Sequence, residues 1–259
     1  MKMNVTIPVF NEVRRLSDSV EKLILFLNAN CRYTWEIVIA NNASTDRTWQ
    51  IARQLEQADS SVHVVHLDQK GRGRALRKVW NESDADILSY MDVDLSTDLK
   101  AFPSLIEALV TGGFDLAIGS RLLEHSETTR GFKREVLSRS YNLLIKAALR
   151  THFSDAQCGF KAITRDAAKK LLPLVEDNAW FFDTELLVLA EKLGYRIHDL
   201  PVHWVDDTDS RVRILNTAFE DLKGLIRLRR KFAKGDYEGH LVDRLPASRL
   251  RTRSGNLCL

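Results

Sequence analysis

Cysteine, proline and glycine are scarce in this chain: 3, 5 and 12 among 259 residues. The three cysteines, Cys31, Cys158 and Cys258, lie far apart; they form neither a disulfide framework nor a metal-ligand pair, and fit a reducing compartment. So little Gly and Pro excludes a fibrous or low-complexity chain, and 44% apolar residues exclude a disordered one. Long hydrophobic runs are missing too. Leu23–Leu27 and Leu186–Ala190, the longest, span five residues, against the roughly 20 that a helix needs to cross a bilayer. Met1-Lys2-Met3-Asn4 leads straight into a strand-like segment, so no signal peptide is expected. Neither G-x-G-x-x-G nor a P-loop is found, which argues against a dinucleotide-binding oxidoreductase and a P-loop NTPase.

The charge is uneven. Arg130–Arg150 carries six basic residues against one acidic, and Arg211–Lys234 eight against two, so the remainder sums to −8 within a total of +3. Two basic segments on an otherwise acidic chain suit an anionic partner held at defined places, or two solvated helix faces.

The first 120 residues alternate short apolar runs with helical periodicity. Asn4–Val9, Glu36–Ala40, Val62–Leu67, Asp86–Met91 and Phe114–Gly119 read as strands. Between them, Val13, Leu16, Val20, Leu23, Ile24 and Leu27 form a helical stripe capped by Asn11, and Asp46–Ala58, Gly73–Trp80 and Leu99–Val110 follow as helices. This alternation predicts an α/β fold, a mostly parallel Rossmann-like sheet with helices on both faces. Further helices are expected over Arg130–Arg150, Asp183–Leu193 and Val212–Phe232, and strands over Cys158–Thr164 and Tyr195–Val205.

Ligands of such sheets bind beyond the carboxyl ends of the strands. Polar residues gather there: Asn11-Glu12, Asn41-Asn42, Asp68, Asp92-Val93-Asp94 and Ser120-Arg121. Asp92 and Asp94 flank one residue at a strand end and can share a hard divalent ion that also binds phosphate oxygens. A bare D-x-D is common in solvated turns; its place at the sheet edge favours function. Gln69–Ala75 is a glycine-flexed basic loop entering a helix N-terminus, suited to a pyrophosphate or sugar phosphate.

Taken in order, Pro8-Val9-Phe10-Asn11-Glu12, Asn42–Thr48, Lys70-Gly71-Arg72-Gly73 and Met91–Leu99 resemble the inverting GT-A glycosyltransferases of family 2, and within them the polyprenyl-phosphate branch. The likeness continues through Gly119-Ser120-Arg121, Asp155–Lys161 and Trp180–Leu187 to Ser210-Arg211-Val212, about the first 230 residues. It implies a GT-A catalytic domain over 1–210; the basic, apolar-striped segment 211–234 reads as an amphipathic helix at the membrane and acceptor side, and the decay of the pattern from Gly235 as a flexible tail over 235–259. The implied nucleotide-sugar contacts are Pro8, Phe10, Glu12, Asn42, Asp68, Lys70 and Asp92, with Mg²⁺ or Mn²⁺ on Asp92 and Asp94. Asn41 stands where the family often has aspartate. Asp94, Asp183 and Arg211 are the implied catalytic residues, Arg211 closing on phosphate. Arg134, Ser138 and Arg139 are the implied holders of the acceptor phosphate.

The resemblance implies transfer of a hexose, glucose favoured, from UDP-glucose or alternatively GDP-mannose to a polyprenyl phosphate on the cytoplasmic face of a membrane. A phosphomonoester is largely ionised near neutral pH, its second pKa being about 6. It therefore has little need of a base, and Asp183 reads as a positioning group. Transfer to a sugar hydroxyl would make Asp183 a true base; a catalytically silent nucleotide-sugar-binding adaptor is a further alternative. Relatives often carry membrane helices, which leaves room for a separate membrane protein as partner. No nucleic-acid partner is expected.

Overall fold

The structure, a computed structural model, describes residues 1–129, 132–205 and 214–241. Nine strands and eight helices are found among these residues: β1 (Lys2–Val9), α1 (Leu16–Asn30), β2 (Thr34–Asn42), α2 (Thr48–Ala58), β3 (Val62–Leu67), α3 (Arg72–Glu82), β4 (Ile87–Met91), α4 (Phe102–Val110), β5 (Leu116–Ser120), β6 (Glu127–Thr129), α5 (Phe132–Leu149), β7 (Phe160–Thr164), α6 (Arg165–Leu171), α7 (Phe182–Lys192), β8 (Ile197–Pro201), β9 (His203–Val205) and α8 (Ile214–Lys234).

Seven strands form one sheet in the order β3-β2-β1-β4-β7-β5-β8. β7 alone runs antiparallel to its neighbours β4 and β5. The expected α/β sheet is therefore present, and the expected strand over Tyr195–Val205 is divided. β8 stays in the main sheet beside β5, while β9 pairs in parallel with the three-residue β6.

Side-chain alternation explains the layering, because successive residues of a strand face opposite sides. In β2, Ile37 and Ile39 enter one core, Val38 and Ala40 the other. The first core packs α1, α2 and α4 against the sheet; the second takes α3, α5, α6, α7 and α8. Each fully buried Leu or Ile contributes about 1.5–3 kcal/mol through apolar area removed from water.

One local expectation is corrected. Asn11 does not cap α1, which begins at Leu16. Its φ is +58°, and its side-chain oxygen accepts from the Thr45 N–H at 2.8 Å, stapling the first βα turn to the second. The basic helix α8 uses part of its apolar stripe to pack on the domain: Leu225 and Leu228 are buried in the second core, and Gly224 lies so close to the Phe181 ring that a Cβ there would collide with it.

The chain runs β1, β2, β3 outward to one edge and then returns to lay β4 on the other side of β1. The carboxyl ends of β1 and β4 thus flank a topological switch point, where loops diverge and leave a crevice.

Candidate active site

Phe10, following β1, and Asp92, following β4, stand at this crevice. Phe10 is half-buried, and the Lys70 ammonium lies 3.6 Å from its ring centroid. Pro8 pairs with Ala40 across β1 and β2, and the Glu12 backbone N–H donates to Thr48 Oγ1 at 2.8 Å. Asn42, buried at the end of β2, accepts the Gly71 N–H on its side-chain oxygen at 2.7 Å, fixing the basic loop over the strand ends. Asn41 is fully buried; its amide nitrogen meets His66 Nδ1 at 2.7 Å, and its oxygen has no partner among the described residues. Asp68 is exposed at the rim, 3.7 Å from His66. The first βα turn, Asn42, Lys70 and Asp92 are thus gathered at one edge, as the sequence implied.

Asp92 is placed by backbone geometry. Its N–H donates to the Gly159 carbonyl at 3.1 Å, and a Cβ at Gly159 would collide with its carboxylate. Asp94 Oδ1 accepts the Ser96 N–H at 3.0 Å. A cavity of about 330 Å³ opens beside Asp94, walled on its far side by Arg14, Arg15 and Lys22 of the first helical segment.

Beneath these carboxylates lies a cluster whose internal pairing the sequence does not show, although Arg72 and Asp183 are singled out in it. The Arg72 guanidinium is 3.0 Å from Asp92 Oδ1 and 3.8 Å from Asp183 Oδ2. It lies 5.0 Å from both the Tyr90 and Trp180 ring centroids. Burial alone would weaken this cation, but Asp92, Tyr90 and Asp183 raise its pKa above the ordinary arginine value. Desolvation at the cleft floor pushes the Asp92 carboxyl up, with Arg72 pulling it down and Asp94 and Asp183 adding to the rise. Tyr90 donates its hydroxyl to Asp183 Oδ1, and burial raises its pKa well above the usual phenol value, so it stays a donor. Lys161 completes the group, 3.3 Å from Asp183 Oδ1 and 3.1 Å from the Tyr90 hydroxyl. The readable signal for Lys161 was a lone cation inside the apolar strand Phe160–Ile163.

On the acceptor side the two described residues of the implied three, Ser138 and Arg139, do not converge. Ser138 is buried and its hydroxyl has no partner among the described residues. Arg139 turns outward, 61% exposed, and pairs with Glu135. The Arg134 side chain and Arg211 lie outside the described residues. Nearby, Arg121 grips Asp155 with two hydrogen bonds of 2.7 and 3.0 Å. Although burial opposes ionisation, that pairing holds the Asp155 carboxyl at about 2.

The donor set fits a hard divalent ion. Asp92 and Asp94 offer carboxylate oxygens, and among the described residues no group of three or more His, Cys, Asp or Glu closes around one ion. The remaining positions of such an ion are thereby left to phosphate oxygens and water, the arrangement Mg²⁺ prefers.

The sheet, with paired aspartates at its switch point and a basic glycine loop beside them, has the architecture of a GT-A glycosyltransferase scaffold. Residues 4–172 match the family described as Glycosyl transferase family 2, and the chain belongs to it. It is 37% identical over 220 residues to glycosyltransferase AglD of Haloferax volcanii, a match covering 83% of this chain and 35% of that protein. It is 26% identical over 246 residues to dolichyl-phosphate beta-glucosyltransferase of Dictyostelium discoideum, covering 90% and 75%. The chain thus spans about a third of AglD and three quarters of the Dictyostelium enzyme. Among solved structures, glucosyl-3-phosphoglycerate synthase of Mycobacterium tuberculosis with Mn²⁺, UDP-glucose and phosphoglyceric acid shares the fold. The TM-score is 0.62 at 19% identity, covering 92% of this chain and 79% of that one.

Proposed function

We propose that this chain moves a hexose, glucose favoured, from a nucleotide sugar, UDP-glucose favoured, to a polyprenyl phosphate with inversion at the anomeric carbon. The observation that carries the choice of acceptor is the state of Asp183. Its carboxylate accepts from Tyr90, faces the Lys161 ammonium at 3.3 Å and has the Arg72 guanidinium 3.8 Å from its other oxygen. A carboxylate surrounded by donors and cations is a poor general base. An acceptor that arrives already ionised needs none, and a phosphate monoester is such an acceptor. The names of the matched dolichyl-phosphate glucosyltransferases support the same class.

In this reading Pro8, Phe10, Glu12, Asn42 and Asp68 hold the nucleoside, and Lys70 and Arg72 face the diphosphate. Asp92 and Asp94 would hold Mg²⁺ or Mn²⁺, which supplies positive charge to the leaving diphosphate when bound. Arg72 adds a fixed cation from the protein itself, in a site where desolvation strengthens the attraction. Asp183 orients Arg72 and takes no proton. Ser138, whose buried hydroxyl has no partner among the described residues, is the candidate contact for the acceptor phosphate; Arg139 faces solvent, and Arg134 and Arg211, implied for the same phosphate, lie outside the described residues.

The acceptor's lipid tail calls for a membrane surface. Among the described residues no helix is long and apolar enough to cross a membrane. Leu143 and Leu144 on α5, and Phe219, Leu222 and Ile226 on the adjacent α8, are exposed large apolar side chains beside Lys223, Arg229 and Arg230. This supports peripheral attachment, read as the cytoplasmic face of a membrane, alone or beside a separate membrane protein.

The test offers labelled UDP-glucose and GDP-mannose side by side with a polyprenyl phosphate and Mg²⁺ or Mn²⁺, and counts label that extracts into organic solvent. Label from UDP-glucose is the expected result. Label from GDP-mannose alone replaces the sugar, and none from either overturns the lipid-phosphate acceptor.

A further inference from the structure

Lys161 has no part in the roles assigned above, yet it is 3% exposed, and burying an ammonium is costly unless it is paired and hydrogen-bonded. Its position is set by the sheet. Lys161 of β7 and Tyr90 of β4 are direct cross-strand partners, so both side chains rise from the same face toward the start of α7. There they converge on Asp183 Oδ1, and Lys161 also donates to the Cys158 carbonyl.

Asp183 therefore stands between two cations. Lys161 is 3.3 Å from one of its oxygens, and Arg72 is 3.8 Å from the other. Arg72 is closer to Asp92, at 3.0 Å. The two arginine nitrogens nearest these carboxylates, Nε and Nη2, are buried and aligned on no hydrogen-bond acceptor among the described residues. Two cations and two carboxylates balance, and the balance fixes which carboxylate each cation serves. Were the Lys161 charge removed, Asp183 would be the less neutralised carboxylate and would draw Arg72 inward, away from Asp92 and the donor edge.

We propose that Lys161 is a positioning residue of the transfer reaction: by neutralising Asp183 together with Tyr90, it keeps the Arg72 guanidinium beside Asp92, where the leaving diphosphate would lie. This rests on the nucleotide-sugar reading above. Lys161 touches no substrate; it acts through Asp183 and Arg72.

Trp180, 5.0 Å from Arg72 and 45% exposed, supplies a fluorescence signal for binding that does not depend on turnover. UDP and uridine are titrated in the presence of Mg²⁺ into the wild-type chain, Lys161→Met, Lys161→Arg, Arg72→Gln and the pairs Lys161→Met/Arg72→Gln and Lys161→Met/Asp183→Asn. Lys161→Met is expected to weaken UDP by about 10- to 100-fold, the worth of a hydrogen bond to a charged group, and to leave uridine unchanged. Lys161→Arg should restore most of the UDP affinity. The pair with Arg72→Gln should bind no more weakly than Arg72→Gln alone, since both changes remove one interaction. The pair with Asp183→Asn, which removes both charges of the inner contact, should recover UDP binding, and it keeps the test open if Lys161→Met alone fails to fold.

Equal losses for UDP and uridine in Lys161→Met, or additive losses with Arg72→Gln, would show a merely structural role and overturn the proposal. UDP binding by wild type that Lys161→Met leaves intact overturns it while the nucleotide-sugar reading stands. A wild-type chain that binds neither UDP nor GDP, titrated in the same way as a control, overturns both.

Discussion

The Arg227 guanidinium of α8 lies 2.8 Å from the Glu185 carboxylate of α7, which is wholly shielded from water. Glu185 also accepts the backbone N–H groups of Glu176 and Asp177, at 3.1 and 2.7 Å. One residue thus joins the basic helix to the loop and helix that carry Trp180 and Asp183. Removing one partner of a buried pair leaves an uncompensated charge, at a cost of about 3 kcal/mol. Arg227→Ala should lower stability by about that amount in urea unfolding, less the share that the two backbone donors keep. A loss below about 0.5 kcal/mol, the level of a surface pair, would show that α8 is not seated by this contact.

The absence of a side chain at Gly159 makes room for Asp92, because a Cβ there would meet the carboxylate. Gly159→Ala should therefore cut transfer more than tenfold while the melting temperature stays near wild type, as the clash can be relieved by turning Asp92 away. Asp94→Ala should abolish nearly all transfer, and EDTA should do the same to the wild type, with recovery on adding Mn²⁺ or Mg²⁺. Near-normal turnover of Asp94→Ala would remove this aspartate from the metal site.

Asp221 of α8 is 3% exposed, and one of its oxygens has no partner among the described residues. Burial pushes its carboxyl up to about 6, opposed by a hydrogen bond with Tyr141 and aided by Asp177 and Glu220. Asp199, raised chiefly by burial, also reaches about 6. In the unfolded chain both titrate near 3.8, so between about pH 4 and 6 the folded state holds more protons. Stability must then fall as pH rises through that window. Asp221→Asn should raise the melting temperature at pH 7.5 and make the decline between pH 4 and 6 shallower, leaving the parts due to Asp199, Asp92 and Glu185, whose carboxyls burial also raises. An unchanged slope would place Asp221 in water.

Much of this architecture is legible because each strand of the first half is a short apolar run with a polar residue at its carboxyl end. Asp92 and Asp94 stand out by that placement. Asn11 misleads because its side chain bonds a turn 34 residues away, a tertiary contact that overrides a local capping preference. β6 and β9, three residues each, are too short to show a period. Tyr90 reads as a core aromatic, and only the fold brings it to Asp183, 93 positions later. Arg72 is visible as part of a basic loop, but its burial between two rings is a product of packing. Residue types and edges were readable; pairings across the sheet were not.

The exposed stripe Phe219, Leu222 and Ile226 recurs at helical spacing on α8, on the side opposite the buried Leu225 and Leu228. Nothing in the fold covers these three among the described residues, and Lys223, Arg229 and Arg230 stand beside them on the exposed surface. Such a face gains from apolar insertion at the headgroup boundary and from attraction to anionic lipids, about 1 kcal/mol for each cation near the surface. The chain should float with vesicles containing phosphatidylserine and be recovered less with neutral ones. Leu222→Ser/Ile226→Ser should weaken flotation at any salt, because it removes the insertion. Lys223→Gln/Arg230→Gln should weaken it mainly at low salt, since screening already suppresses the charge contribution at high ionic strength. Neither pair removes a buried contact, so the melting temperature should stay within a few degrees of wild type. Flotation unaffected by both pairs would assign membrane contact to another surface, and then α8 serves the domain alone.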